Sequence, residues 1–142
     1  MGRRTLVKYI NLFDEDIFGK YRVISKKIRK QSSFSGLFMK KNYQEIINEL
    51  ENCQEKVLLI SPEHIEVDSN DEEAIVIRDL LGEIVTLFYA LCTAQINVQE
   101  FFIRKDNKES VSVDELKKLM AEVGKNNMGM KLAWEKITKI IR

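Results

Sequence analysis

The residues able to do chemistry are few and scattered. One histidine, His64, stands among Glu63, Glu66 and Asp68. A tetrahedral zinc site takes four nitrogen or sulfur ligands, and one His with Cys53 and Cys92 on separate stripes does not supply them. Di-iron bundles need two Glu-x-x-His motifs, and the chain has none. The residues around His64 hold a hard cation loosely at best, and an ordinary solvated acidic loop is the expected reading. Cys53 and Cys92 fall within apolar helical faces, where burial raises the thiol pKa and leaves it inert. There is no Gly-x-Gly-x-x-Gly, no phosphate-binding Gly-Lys-Ser/Thr loop and no Gly-x-Ser-x-Gly. No arginine precedes His64 at the four-to-six-residue spacing of small helical ribonucleases. Acid–base catalysis would need carboxylates such as Glu83 and Glu100, which sequence spacing does not bring together. No catalytic residue, metal ligand or cofactor is assigned.

Surface chemistry is more informative. From Lys20 to Lys41 there are eight basic residues and no acidic one: Lys20, Arg22, Lys26, Lys27, Arg29, Lys30, Lys40 and Lys41. Tyr21, Phe34 and Phe38 are interleaved with them. Cations with aromatics can bind a phosphate backbone and stack bases, so the segment is a candidate contact for an anionic partner. Tyr21 and Phe38 also continue apolar stripes, which points them to the core. Gln95 breaks an apolar, heptad-like seam. A single polar group there can fix register or oligomeric state, which makes Gln95 the candidate interface residue.

These residues are carried on helices. Met39, Tyr43, Ile46, Leu50, Cys53, Val57 and Ile60 step by four and three, the stripe of a helix over about 37–60. Ser61-Pro62 ends it, because proline disfavours helix in the residue before it. The acidic segment from Glu63 to Asp71 reads as a loop, with Ser69, Asn70 or Asp71 capping the next helix. That helix spans about 71–103, with Ile77, Leu81, Ile84, Phe88, Leu91, Gln95, Val98 and Phe102 in step. Leu80, Val85, Leu87, Cys92 and Ile96 widen its apolar face, so it is the central, most buried element. At 1.5 Å per residue it runs about 45 Å, long enough for a kink near Asn97. Ser112 and Glu115 make a capping box, and Gly124 stands where a helix-ending glycine belongs. Asn126 to Gly129 reads as a turn before a last helix carrying Met130, Trp134, Ile137 and Ile141. At the front, Ile17, Tyr21, Ile24 and Ile28 define a helix of about 15–30, preceded by a short arm over 1–13.

Two segments resemble known motifs. Residues 104–116 are similar to the second half of an EF-hand, with Val111 and Glu115 at its eighth and twelfth positions. Arg104 takes the first-carboxylate position and Glu109 the turn-glycine position, so the capping box explains the same residues without calcium. Leu81 to Leu91, LGEIVTLFYAL, is similar in pattern to the central-helix motif of the apoptosis-regulating helical bundles and their poxviral immune-modulating relatives, with Trp134 downstream. Against that motif's Asn-Trp-Gly-Arg the chain has Leu80-Leu81-Gly82-Glu83, so the glycine alone matches. The resemblance implies a bundle that binds a partner helix, and no site residue carries over.

The bulk numbers fit that picture. The 142 residues are 44% hydrophobic and 32% charged, with one Pro and six Gly. That is enough apolar material for a core and too few turn residues for a β-sandwich. Two cysteines do not make a disulfide framework. Net charge is +1, but it is segregated. Residues 1–41 hold eleven Lys/Arg against three Asp/Glu, and residues 42–103 hold two against thirteen. Most of that attraction is expected inside one subunit, between the 15–30 and 37–60 helices. The first residues lack an apolar run of signal-peptide length, and Leu6 stands where myristoylation wants Ser or Thr. No stretch is apolar enough to span a bilayer, so a cytoplasmic location is expected.

The expected fold is an all-α, single-domain bundle of five to six helices over residues 1–142, around the long helix at 71–103. The expected function is a non-enzymatic protein-interaction or regulatory module acting through an exposed helix face or groove. A homodimer is expected through the stripe that holds Gln95. The alternative is nucleic-acid binding through Lys20–Lys41.

Overall fold

The computed structural model describes residues 2–32 and 42–141. All of its extended elements are helices, as the periodicity implies. α1 covers Gly2–Leu12, α2 Phe18–Ser32, α3 Tyr43–Val57, α4 Glu72–Asp106 and α5 Val113–Ile141. Single π and 3₁₀ turns at Phe13–Ile17 and Pro62–His64 connect them.

α1 and α2 form one continuous rod, because the π turn joins them without a break. Phe13, Ile17 and Tyr21 succeed each other in two steps of four, which overshoots a 3.6-residue turn. The wider turn, with the Phe18 N–H donating to the Phe13 carbonyl, takes up the excess and keeps all three on the core side. The expected arm over 1–13 is thus an integral part of the bundle, with Leu6 and Ile10 buried. Gly2 is buried too: a Cβ there would lie 2.6 Å from the Val67 side chain.

α3 stops at Val57, before Ser61-Pro62, and its expected start at 37 lies outside the described residues. Asp71 caps α4, accepting from the Ala74 N–H at 3.2 Å, and pairs with Arg3 at 2.8 Å. The Arg3 guanidinium holds the Asp71 pKa down to about 2. α4 runs unbroken through Asn97. At its end the Glu109 N–H donates to the Arg104 carbonyl and the Lys108 N–H to that of Lys105, a Schellman motif. Lys108 takes the left-handed position, at φ 62°, usually filled by glycine. The EF-hand-like segment is therefore a helix stop and a helix start. Its would-be first and twelfth ligands, Arg104 and Glu115, are paired with each other. Ser112 caps α5 through the Glu115 N–H at 3.1 Å, while the Glu115 carboxylate turns to Arg104 instead of closing the capping box.

The expected break at Gly124 and Asn126–Gly129 does not occur. α5 continues through all of them. The Asn126 amide donates within the helix to the Glu122 carbonyl at 2.9 Å. Gly129 is a close approach and not a turn, since a Cβ there would stand 3.2 Å from Leu87 Cδ1 on α4. With the α1–α2 rod continuous and α5 unbroken, the five to six expected helices become four rods among the described residues.

α4 is the centre. Arg3 meets Asp71 at one end of it and Tyr21 meets Gln95 further on, so the α1–α2 rod runs parallel to α4. Tyr43 stacks on Phe102, and Gln54 donates to the Tyr89 carbonyl and Thr93, so α3 runs antiparallel. α5 is antiparallel as well, from Arg104–Glu115 to Leu87–Gly129. Phe88 sits at the middle, with the rings of Phe13, Phe18 and Tyr21 around it.

Candidate interaction surfaces

The six described cations of the basic segment, Lys20, Arg22, Lys26, Lys27, Arg29 and Lys30, are all exposed on α2. Lys40 and Lys41, with Phe34 and Phe38, lie outside the described residues. Lys27 pairs with Glu49 on α3 at 2.8 Å, and Arg22 pairs with Asp14 and covers the Phe18 ring. Lys27–Glu49 is the one salt bridge between α2 and α3 among the described residues. The expected internal neutralisation of the charge blocks is correspondingly thin there. Tyr21 is core, not a base-stacking platform.

A groove of about 320 Å³ lies between α2 and α3, lined by Lys20, Val23, Lys27, Glu49, Asn52 and Cys53. Burial raises the pKa of the Cys53 thiol and outweighs the positive charges of Lys20 and Lys56, which draw it toward ionisation. The two ammonium groups also oppose each other, which lowers the Lys56 pKa. Cys92 is raised further, by burial first. Both thiols are therefore protonated at neutral pH, in line with core packing.

Gln95 is inside the subunit. It is 8% exposed, and its Nε2 donates to the Tyr21 hydroxyl at 3.1 Å. The seam holding it faces the α1–α2 rod of the same chain, which corrects its expected place at an interface between subunits. Gln99, one turn on, is the buried polar residue that sequence reading missed. It is 2% exposed, and its Oε1 has no hydrogen-bond partner among the described residues.

The Tyr21–Gln95 pair makes a pH prediction. Burial is the largest influence on Tyr21 and lifts its pKa from 10.0 to about 12, against the opposing Gln95 hydrogen bond. In the unfolded chain the phenol ionises near 10, so above that pH the unfolded state is favoured. The contribution is fully present below pH 10 and lost as pH rises toward 12. Cys92 acts in the same direction from pH 9.0 upward. Thermal melts should give a flat midpoint from about pH 6 to 8 and a fall above about 9. Tyr21→Phe should reduce that fall, and an unchanged alkaline profile would contradict the assignment.

His64 is exposed and lines a larger cleft of about 1350 Å³ with Arg3, Arg4, Tyr9, Leu59 and Glu66. Among the described residues no three His, Cys, Asp or Glu side chains gather where a metal ion could be held. Glu83 and Glu100 are exposed and seventeen residues apart on α4, about 25 Å along its axis. They do not form a pair.

Five of the twelve large apolar side chains exposed among the described residues are on α5: Val113, Met120, Met128, Leu132 and Ile141. Met120, Gly124, Met128 and Leu132 recur every fourth residue along its exposed side, with Leu116 half-buried one step before them. Met120 is 53% exposed, Met128 58% and Leu132 50%, and Val113 continues the row at the helix start. A Cβ added at Gly124 would meet nothing within 4 Å. The opposite side, through Asn126, Met130, Ala133 and Ile137, is buried. The spacing was readable, but a stop at Gly124 divides the row in two and hides it.

Among the described residues no helix is long and apolar enough to cross a membrane. Gly82, the residue shared with the apoptosis-regulator motif, has open space over it. The chain matches no protein-family model, no curated protein and no solved structure, so its similarity to those bundles rests on Leu81–Leu91 alone.

Proposed function

We propose that the chain is a non-enzymatic protein-interaction or regulatory module of the cytoplasm, binding through the outer face of α5. The observation that carries this reading is the exposed row Met120–Gly124–Met128–Leu132. Apolar side chains aligned on one helix face are the usual means by which a helix docks on a partner, and methionine suits such surfaces because it repacks easily. Capture from an extract of the native host tests it. The immobilised chain should retain protein that a Met120→Glu, Met128→Glu variant of equal helix content does not. Equal retention by both would overturn the reading.

Nucleic-acid binding through α2 is the second reading, supported by Lys26 and Arg29, which are exposed and make no ion pair among the described residues. Retention on single-stranded DNA should then fall steeply with salt and vanish when Lys26 and Arg29 become Glu.

A further inference from the structure

We propose that the groove between α2 and α3 binds a medium-chain monocarboxylate. Its carboxylate sits between the Lys20 and Lys56 ammonium groups, and its alkyl chain lies along the groove toward Lys27. The two helices meet there in antiparallel register. Lys27 meets Glu49, Val23 and Ile24 lie beside Asn52 and Cys53, and Lys20 meets Lys56. A cross-helix pair thus stands at each end of the groove.

The two pairs are unlike. Lys27 and Glu49 neutralise each other at 2.8 Å. At the other end two cations face each other, and neither makes an ion pair among the described residues. Lys56 is half-buried, and it is the one cation of α3, whose other charged residues are Glu45, Glu49, Glu51 and Glu55. An acidic helix on a basic neighbour thus sets its single cation against another cation. The contact with Lys20 lowers the Lys56 pKa, and Asp16 opposes that effect only weakly. A carboxylate has one oxygen for each ammonium, so it converts the repulsive contact into two charge-assisted hydrogen bonds. Two cations against Asp16 leave one net positive charge, which matches a monoanion.

The floor of the groove calls for a chain behind that head. Ile24 and Cys53 are buried at its base, and Val23 is 57% exposed beside them. An inorganic anion would leave this apolar floor uncovered. Lys20 and Lys27 are seven residues apart, about 10 Å along α2. An extended alkyl chain advances about 1.3 Å per carbon, so about eight carbons span that distance. The volume of about 320 Å³ stands at the small end of ligand sites, as such a chain requires. Lys26 and Arg29 do not line the groove, so this site is separate from the nucleic-acid reading of α2.

Calorimetric titration of the chain with sodium octanoate, kept below micelle-forming concentration, tests the proposal. The dissociation constant should be about 0.1–1 mM, and the Val23 and Ile24 methyl resonances should shift on binding. Acetate and inorganic phosphate supply the head without the chain and should bind at least about tenfold more weakly. Lys20→Glu places a carboxylate of the protein itself beside Lys56. It should raise the thermal midpoint without ligand and abolish octanoate binding. Val23→Glu should weaken binding about tenfold or more at unchanged circular dichroism, since Val23 is on the surface. No binding by the unmodified chain would overturn the proposal. Equal affinity for octanoate, acetate and phosphate would overturn it as well, leaving an anion site without a tail. Equal octanoate binding by Lys20→Glu would reduce the effect to non-specific adsorption. If octanoate fails while Lys20→Glu loses a protein captured from extract, the lysine pair serves a partner's acidic side chain and the proposal falls.

Discussion

Phe88→Ala should remove about 3–5 kcal/mol of stability, the range for truncating a fully buried aromatic. Phe88 is 0% exposed on α4 and packs against the rings of the α1–α2 rod. Phe13 meets it edge-on at 5.2 Å between ring centroids, Tyr21 at 5.6 Å and Phe18 at 6.2 Å. Phe13 in turn approaches Trp134 of α5 at 6.2 Å. Removing the ring deletes the transfer free energy of the side chain. It also leaves a hole bordered by three rigid rings, which collapse poorly into the space. A domain of this size has about 5–15 kcal/mol in all, so a large part of the total is at stake. In urea the midpoint should fall steeply with little change in slope, and Phe88→Leu, which keeps more of the volume, should lose much less. A loss below about 1 kcal/mol for the alanine variant would mean that the ring cluster is not the centre of the core.

The residues around Phe88 also show what a sequence can reveal. Ile77, Leu81, Ile84, Phe88, Leu91, Gln95 and Val98 are buried as one stripe, but Phe102, its expected last member, is half-buried and Phe101 is buried in its place. The central position of α4 follows from local periodicity, because a helix apolar over so wide a face has nowhere else to go. Glycine was the obstacle. Gly124 and Gly129 carry the usual signal of a helix stop, yet both lie in mid-helix. The reason for Gly129 is Leu87, forty-two residues away in sequence, and no local pattern encodes that approach. The same misreading separates Met120 from Met128 and conceals the ridge on α5. The arm at the front fails similarly: Leu6, Ile10 and Phe13 are in step, but only the π turn carries that step into Ile17 and Tyr21.

Site residues were less legible than elements, since an amide in an apolar stripe has the same appearance whether it faces a partner subunit or a tyrosine. Gln95 and Gln99 now separate into two cases with opposite expected signs. Gln99→Met should stabilise the fold, by about 1 kcal/mol or more. The Gln99 carbonyl is sealed from water without a hydrogen-bond acceptor's reward, and a buried unsatisfied group costs about 1–3 kcal/mol. Methionine matches its length and shape, adapts to irregular surroundings and brings no group that needs a partner. Gln95→Met should do the reverse. Its amide is the donor to the Tyr21 hydroxyl, and its loss leaves that oxygen buried without the bond, at about 1–2 kcal/mol. Paired urea titrations of the two variants make the comparison internal, because both replace the same side chain by the same side chain, one turn apart on α4. Destabilisation by Gln99→Met equal to that of Gln95→Met would show that the Gln99 carbonyl is satisfied in solution. The polar seam of α4 would then be a complete network and not one with an open end.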